Sequence, residues 1–190
     1  MNRYIHSKSI HNSKSPSIIL PMLLDVLKPN SILDVGCGTG TWLNEAKKYG
    51  VSEVFGIDGE YVDRDLLYEN IDSSEFLPLD LELGFNLNKK FDLVICLEVA
   101  EHLKIESANS LIESLVRHSD FVFFSAAIPG QGGQNHLNEQ WPIYWVNKFQ
   151  DFGYKVSDFI RPQIWENSDL DFWYIQNSLL FFNSKSVLSF

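Results

Sequence analysis

The sequence predicts an α/β fold with a doubly wound, mostly parallel sheet and an antiparallel strand at its C-terminal edge. Two observations predict it. Short apolar runs alternate with amphipathic helical stretches between Pro16 and Ala127, which is the pattern βαβ units write into a chain. The first apolar run, residues 32–35, leads straight into Gly36, Gly38 and Gly40 and then into a helical stretch, a Rossmann-like junction of strand, tight turn and helix.

The elements follow in order. Ser15 reads as an N-cap with Pro16 at the first helical position, predicting a helix over residues 16–28. A strand over residues 32–35 precedes a helix over 41–49, with Trp42, Leu43, Ala46 and Tyr49 on one side. A strand is expected over 54–57, a short helix over 64–69 and a third strand over 76–79. The run at residues 91–97 has the composition of a strand buried on both faces. Residues 105–117 give a helix, because Ile105, Ala108, Leu111, Ile112, Leu115 and Val116 follow the 3.6-residue period. Residues 121–127 form another buried strand. A glycine-rich loop then runs from Pro129 to Gly133, and a helix over 142–152 stops at Gly153. Two strand-like runs, near 154–160 and 173–182, are expected to pair antiparallel at the sheet edge.

At 190 residues the chain suits a single domain over 1–190 with a real hydrophobic core. Hydrophobic residues make up 45% and charged residues 21%, an ordinary globular composition. Residues 1–15 read as a polar arm, too polar for a signal peptide. No apolar run approaches the ~18 residues of a membrane span. Cys37 and Cys96 lack the spacing of a disulfide framework or a zinc site, and a reducing cytoplasm fits them. The net charge of −10 argues against nucleic acid, whose phosphates call for a basic face.

The stretch Ser31-Ile-Leu-Asp-Val-Gly-Cys-Gly-Thr-Gly-Thr-Trp-Leu43 carries the strongest chemical signal. Glycines allow a tight turn and close approach of the backbone to a ligand. The helix that follows offers free N–H groups to an anion. A dinucleotide site would place a third glycine where Thr41 stands. Asp58 ends the second strand about 20 residues beyond the first glycines, where an acid accepts hydrogen bonds from ribose hydroxyls.

This stretch resembles the first motif of class I S-adenosylmethionine-dependent methyltransferases. The resemblance extends through Asp80-Leu81 and the segment Phe91-Asp-Leu-Val-Ile-Cys-Leu-Glu-Val-Ala-Glu-His-Leu103. It implies that Asp34 holds the methionine part of S-adenosylmethionine, over the turn formed by Gly36, Gly38 and Gly40. Asp58 would take the ribose. Asp80 would meet the adenine amino group and the Leu81 backbone the ring, with Glu82 competing for the acidic role. Leu97, at the end of the fourth strand, completes the cofactor set.

Methyl transfer needs alignment of the acceptor, exclusion of water and a place for a proton. Glu98, Glu101 and His102 follow the fourth strand; helical spacing there would put them on one side. The loop over residues 128–142, Ile-Pro-Gly-Gln-Gly-Gly-Gln-Asn-His-Leu-Asn-Glu-Gln-Trp-Pro, resembles the H-x-N-E-Q-W-P loop of bacterial methyltransferases acting on sugars and related metabolites. Two chemistries fit. Glu98, Glu101, His102 and His136 would ligate Mg2+ or Mn2+, similar to the arrangement in metal-dependent small-RNA 2′-O-methyltransferases. Alternatively His102 or His136, with Glu98, would act as metal-free catalytic groups. Trp141, Tyr144, Trp145, Trp165, Trp173 and Tyr174 are candidates to wall an acceptor, although the helical spacing of Trp145 and Phe149 reads as core. The implied function is methylation, on oxygen, of a small molecule or glycan intermediate. N-methylation and a non-catalytic cofactor-binding domain are the alternatives. An NAD-dependent oxidoreductase is disfavoured by Thr41 and by the lack of a Tyr-x-x-x-Lys pair. The oligomeric state is left open.

Overall fold

The computed structural model describes residues 12–186, so most of the expected arm lies outside the described residues. The chain forms a seven-stranded sheet in the order β3-β2-β1-β4-β5-β7-β6. The strands are β1 (Ser31–Val35), β2 (Glu53–Asp58), β3 (Phe76–Pro78), β4 (Leu93–Leu97), β5 (Phe121–Ser125), β6 (Tyr154–Ser157) and β7 (Leu179–Asn183). β1 to β5 pair in parallel, whereas β7 is antiparallel to both β5 and β6. The expected antiparallel strand is therefore β7, and β6 forms the edge beyond it.

Alternation along each strand feeds two cores. Val94 and Cys96 of β4 point to the face covered by α4 (Ala108–His118) and α5 (Pro142–Asp151). Leu93 and Ile95 point to the face covered by α1 (Lys14–Leu27) and α2 (Thr41–Lys48). Trp145 and Phe149 are core residues, as their spacing suggests, and Phe149 stacks on Phe181 of β7 with ring centroids 3.8 Å apart. Cys37 and Cys96 are free and buried.

Several expectations are corrected. Helix α1 starts at Lys14 with Ser13 as its N-cap. Ser15 is already inside the helix, its hydroxyl donating to Asp171 Oδ2 at 3.0 Å, so a tertiary contact takes the oxygen expected to cap. Tyr49 leaves the buried side of α2; its hydroxyl donates to the Ser17 carbonyl. The helix over 105–117 opens as a 3-10 turn, Ile105–Ser107, before α4. β6 stops at Ser157, because Arg161 forks the next residue, Asp158, at 2.7 and 2.5 Å and starts α6 (Arg161–Ile164). The strand expected from 173 is a helix in its first half, α7 (Phe172–Asn177), before β7. The aromatics there favour strands, but Tyr174 and Ile175 pack against the α1–α2 core, and Tyr174 meets Trp42 edge-on at 5.4 Å.

If the α5–β7 stack anchors the antiparallel end of the sheet, Phe149→Ala should cost roughly 3–5 kcal/mol, as removal of a buried phenyl ring does. Denaturant titration of the variant against the wild type measures this; a loss below about 1 kcal/mol would show that the stack is dispensable.

Candidate functional site

The order of the sheet reverses between β1 and β4, and ligands of such sheets sit in the crevice beyond the strand ends at that point. A cavity of about 810 Å3 opens there. Asp34, Gly36, Gly38, Asp58, Asp80, Leu81, Leu97, Glu98, Glu101, His102 and His136 all line it. Gly40 stands apart from the lining; at φ +76° it makes the left-handed turn into α2, with Leu67 and Ile71 behind it.

Strand ends place the acids. The amide of Gly38 donates to Asp58 Oδ2 at 2.8 Å and that of Gly59 to Oδ1 at 2.6 Å, so the acid of β2 pins the glycine turn of β1. Gly36 sits at φ +80°, and a Cβ there would meet Val99 Cγ2 at 2.2 Å; the loop after β4 closes tightly over the turn. Asp34 is buried, and its Oδ2 has no hydrogen-bond partner among the described residues. Burial, then the nearby Asp58 charge, pushes its pKa up to about 8. Beyond β3, Asp80 Oδ1 accepts from the Glu82 amide at 3.0 Å. Glu82 is drawn off by an ion pair with Lys104 at 2.8 Å, which distinguishes the two acids that compete in the sequence.

The groups after β4 are not on one helical face. The helical turn covers Ala100–His102 alone, and Glu98 lies before it at φ +55°. That conformation is sparsely populated for a non-glycine residue and costs on the order of 1–3 kcal/mol. It is held from both ends. The Glu98 amide donates to Ser125 of β5, and the carboxylate accepts from Gln131 Nε2 at 2.8 Å and Asn177 Nδ2 at 3.1 Å. Asn177 also donates to Gln131 Oε1 at 2.8 Å, which closes a triangle across β4, the loop after β5 and the end of α7.

Glu101, His102 and His136 do converge: one ligand atom from each lies within 4.8 Å of the others. Glu98, bonded to its amides, is outside this group. The convergence arises because the amides of Leu137 and Asn138 donate to the Glu101 carbonyl at 2.7 and 3.0 Å, docking the loop after β5 onto the turn after β4. The His102 and His136 rings then meet edge-on at 4.9 Å. Glu101 is fully buried, and among the described residues its carboxylate oxygens find no well-formed hydrogen bond. Backbone amides near it favour the anion, but burial and the Glu98 charge prevail and push its pKa well up. Burial, and then the neighbouring His136, lowers the His102 pKa to about 4.

Of the aromatics, Trp173 and Tyr174 line the cavity, whereas Trp141 and Trp165 are exposed outside it. The sequence reading missed Trp42 and Tyr61 as lining residues, Gln131 and Asn177 as holders of Glu98, and Glu139, whose Oε1 lies 2.8 Å from His136 Nδ1. The density of Gln and Asn in the 128–142 loop was the available signal for Gln131; Asn177, at the end of α7, had none.

A family model described as a methyltransferase domain matches residues 11–159. The ribosomal protein L11 methyltransferase of Fusobacterium nucleatum is 28% identical over 141 residues, which is 71% of this chain and 41% of that protein. The chain thus spans less than half the length of that relative. Among solved structures, the sugar N-methyltransferase KedS8 from Streptoalloteichus sp. superposes with a TM-score of 0.66 at 11% identity, covering 96% of each chain. The magnesium protoporphyrin IX methyltransferase of Synechocystis, solved with bound S-adenosylhomocysteine, does so with a TM-score of 0.59 at 18% identity, over 88% of this chain and 81% of that one. These two likenesses speak for the fold; the family match over most of the chain, on a sheet that carries the glycine turn and its acids, makes this protein a member of the methyltransferase-domain family.

Proposed function

We propose that the crevice methylates a hydroxyl group of a small polar metabolite or glycan intermediate. The observation that carries this reading is the meeting of two sets of groups in one cavity: the acids around the glycine turn, and the Glu101, His102 and His136 group beyond them. S-adenosylmethionine supplies an activated methyl group, so the chain has to bind, align and exclude water. Asp34, buried with an orphaned oxygen, suits the cationic amino group of the methionine part. Gly36 and Gly38 let the backbone close on the ligand, and Gly40 turns the chain from it into α2. Asp58 keeps acceptor capacity for the ribose hydroxyls after holding Gly38 and Gly59. Asp80, the Leu81 backbone and Leu97 are assigned to the adenine end.

Glu98, His102 and His136 are assigned to the acceptor. As the acceptor oxygen bonds to the methyl carbon and the S–CH3 bond breaks, the hydroxyl proton passes to His136. His102, held neutral at physiological pH, is a poor proton acceptor and a good ligand atom. In the alternative chemistry it would, with Glu101 and His136, hold Mg2+ or Mn2+, which would lower the pKa of a coordinated hydroxyl and orient it; the free lone pair of His136 would then serve the ion instead of the proton. A buried carboxylate without good hydrogen bonds beside a second carboxylate fits a cation. Nucleic acid is not a proposed partner. Asp58, Glu60, Asp80, Glu98 and Asp171 face the cavity, and the basic side chain among its described lining residues, Lys104, is paired to Glu82. The buried free thiols support a reducing compartment, the cytoplasm. Among the described residues no helix is long and apolar enough to cross a membrane.

A screen of sugars, amino sugars and other small hydroxyl compounds with methyl-labelled S-adenosylmethionine, with and without Mn2+, tests the reading. Label on an oxygen of a neutral or cationic acceptor supports it; label on nitrogen alone assigns N-methylation instead.

Asp34 generates a pH prediction. Its folded pKa is raised, so its contribution to stability is fully present below the ordinary carboxylate range and is lost as pH rises through about 8. Cofactor binding requires the ionised form. Affinity for S-adenosylmethionine should therefore rise between about pH 6 and about pH 7.5, approaching tenfold per unit, with proton release. Asp34→Asn should flatten the dependence. Calorimetry in buffers of different ionisation enthalpy reads both; a flat wild-type profile contradicts the assignment.

His136→Ala should lose most turnover, on the order of 100-fold or more, with S-adenosylmethionine affinity nearly unchanged. If an ion is held, chelation abolishes activity and Mn2+ or Mg2+ restores it. Full activity in chelator removes the ion and leaves the base; full activity of His136→Ala as well removes both.

A further inference from the structure

Glu139 has no place in the chemistry above, yet it touches the residue at its centre. It follows His136 by three positions in the loop after β5. Its Oε1 lies 2.8 Å from His136 Nδ1, and its Oε2 accepts from the Gly130 amide at 2.8 Å. The carboxylate thereby joins both ends of the glycine-rich stretch while holding the imidazole.

A neutral imidazole carries one proton, and an ionised carboxylate can only accept. The proton shared with Glu139 therefore sits on Nδ1, and the lone pair sits on Nε2. Left to itself a histidine side chain prefers the opposite arrangement, so the carboxylate sets the choice. The chain also passes close beside Nε2, where only glycine leaves room. Position 133 is glycine, and a Cβ there would lie 2.3 Å from Nε2 and 2.5 Å from Cε1. Glu139 on one edge of the ring and the bare backbone of Gly133 on the other thus define what His136 can offer.

We propose that Glu139 is a positioning residue that holds His136 as its Nδ1–H tautomer, so that Nε2 presents a lone pair to the cavity. Rigid placement of the ring alone would not need an acceptor at Nδ1; selecting the tautomer does. The consequence for turnover rests on the role assigned to His136 above, but the tautomer itself does not.

Long-range 1H–15N spectra of the uniformly labelled full chain test it, with the His136 signals assigned by their loss in His136→Ala. The wild type should show a protonated Nδ1 and an unprotonated Nε2. In Glu139→Ala the population should move towards Nε2–H. Glu139→Gln, whose amide oxygen can still accept from Nδ1, should keep the wild-type pattern. Turnover of Glu139→Ala should fall about 10- to 100-fold, as loss of a ligand-orienting carboxylate does, with KM for S-adenosylmethionine unchanged and with Glu139→Gln retaining the larger share. Nε2–H in the wild type, or an unchanged Nδ1–H signal in a folded Glu139→Ala, overturns the proposal. A wild-type Nδ1–H signal that moves as stated, in a protein that turns over fully without His136, upholds the tautomer while removing the catalytic role given to His136.

Discussion

The rest of this structure depends on the divergence of the chain after β1 and β4. The two strands are neighbours, paired from Ile32 with Leu93 to Asp34 with Ile95, but β1 continues towards β2 and β4 towards β5. Among the described residues no strand fills the gap beyond their ends. Polar backbone and side chains from both halves meet there over an apolar sheet, and the crevice exists before any ligand does. Each half fastens the turn of the other: Asp58 holds Gly38, and Val99 leaves no room for a side chain at position 36. The second meeting, between β4 and β5, repeats the logic when the Glu101 carbonyl takes two amides of the loop after β5.

Folding in this way buries acids that solvent would otherwise satisfy. Asp34 and Glu101 are both held as neutral acids more readily than as anions, for the same leading reason, burial. A structural core has no use for carboxyl groups in that state, and replacing them with apolar groups of similar size would be nearly free of cost. In the proposed function they are capacity held for positive charge: Asp34 would take the amino group of the cofactor and Glu101 a divalent ion. The amides of Gln131 and Asn177 and the strained backbone at Glu98 are the counterpart on the remaining acid. They satisfy Glu98 without a cation and set it apart from the converging three.

Much of this was legible from local spacing. The glycine turn, Asp34, Asp58 and Asp80 are encoded by strand ends and short intervals, so their placement follows once the strands are recognised. Glu101, His102 and His136 could be brought together from the adjacency of consecutive loops in a parallel sheet. What was not legible depends on contacts between distant segments. Ser15 gives its hydroxyl to Asp171 rather than to a helix end, and the aromatic run at 172–174 is helical because Trp42 and the α1–α2 core receive Tyr174. The left-handed backbone at Glu98 is likewise enforced by Ser125, Gln131 and Asn177, and nothing in the flanking residues announces it. Glu139 lies between these cases, since its interval of three from His136 is visible, while its aim at Nδ1 needs the folded loop.

The central claim is that the crevice between β1 and β4 is shaped for S-adenosylmethionine and not for a dinucleotide. Titration calorimetry of the wild-type chain with each ligand decides between them. The account predicts one site for S-adenosylmethionine or its demethylated product with a dissociation constant on the order of micromolar, and no heat from NAD at the same concentration. Saturable NAD binding with no response to S-adenosylmethionine would contradict it.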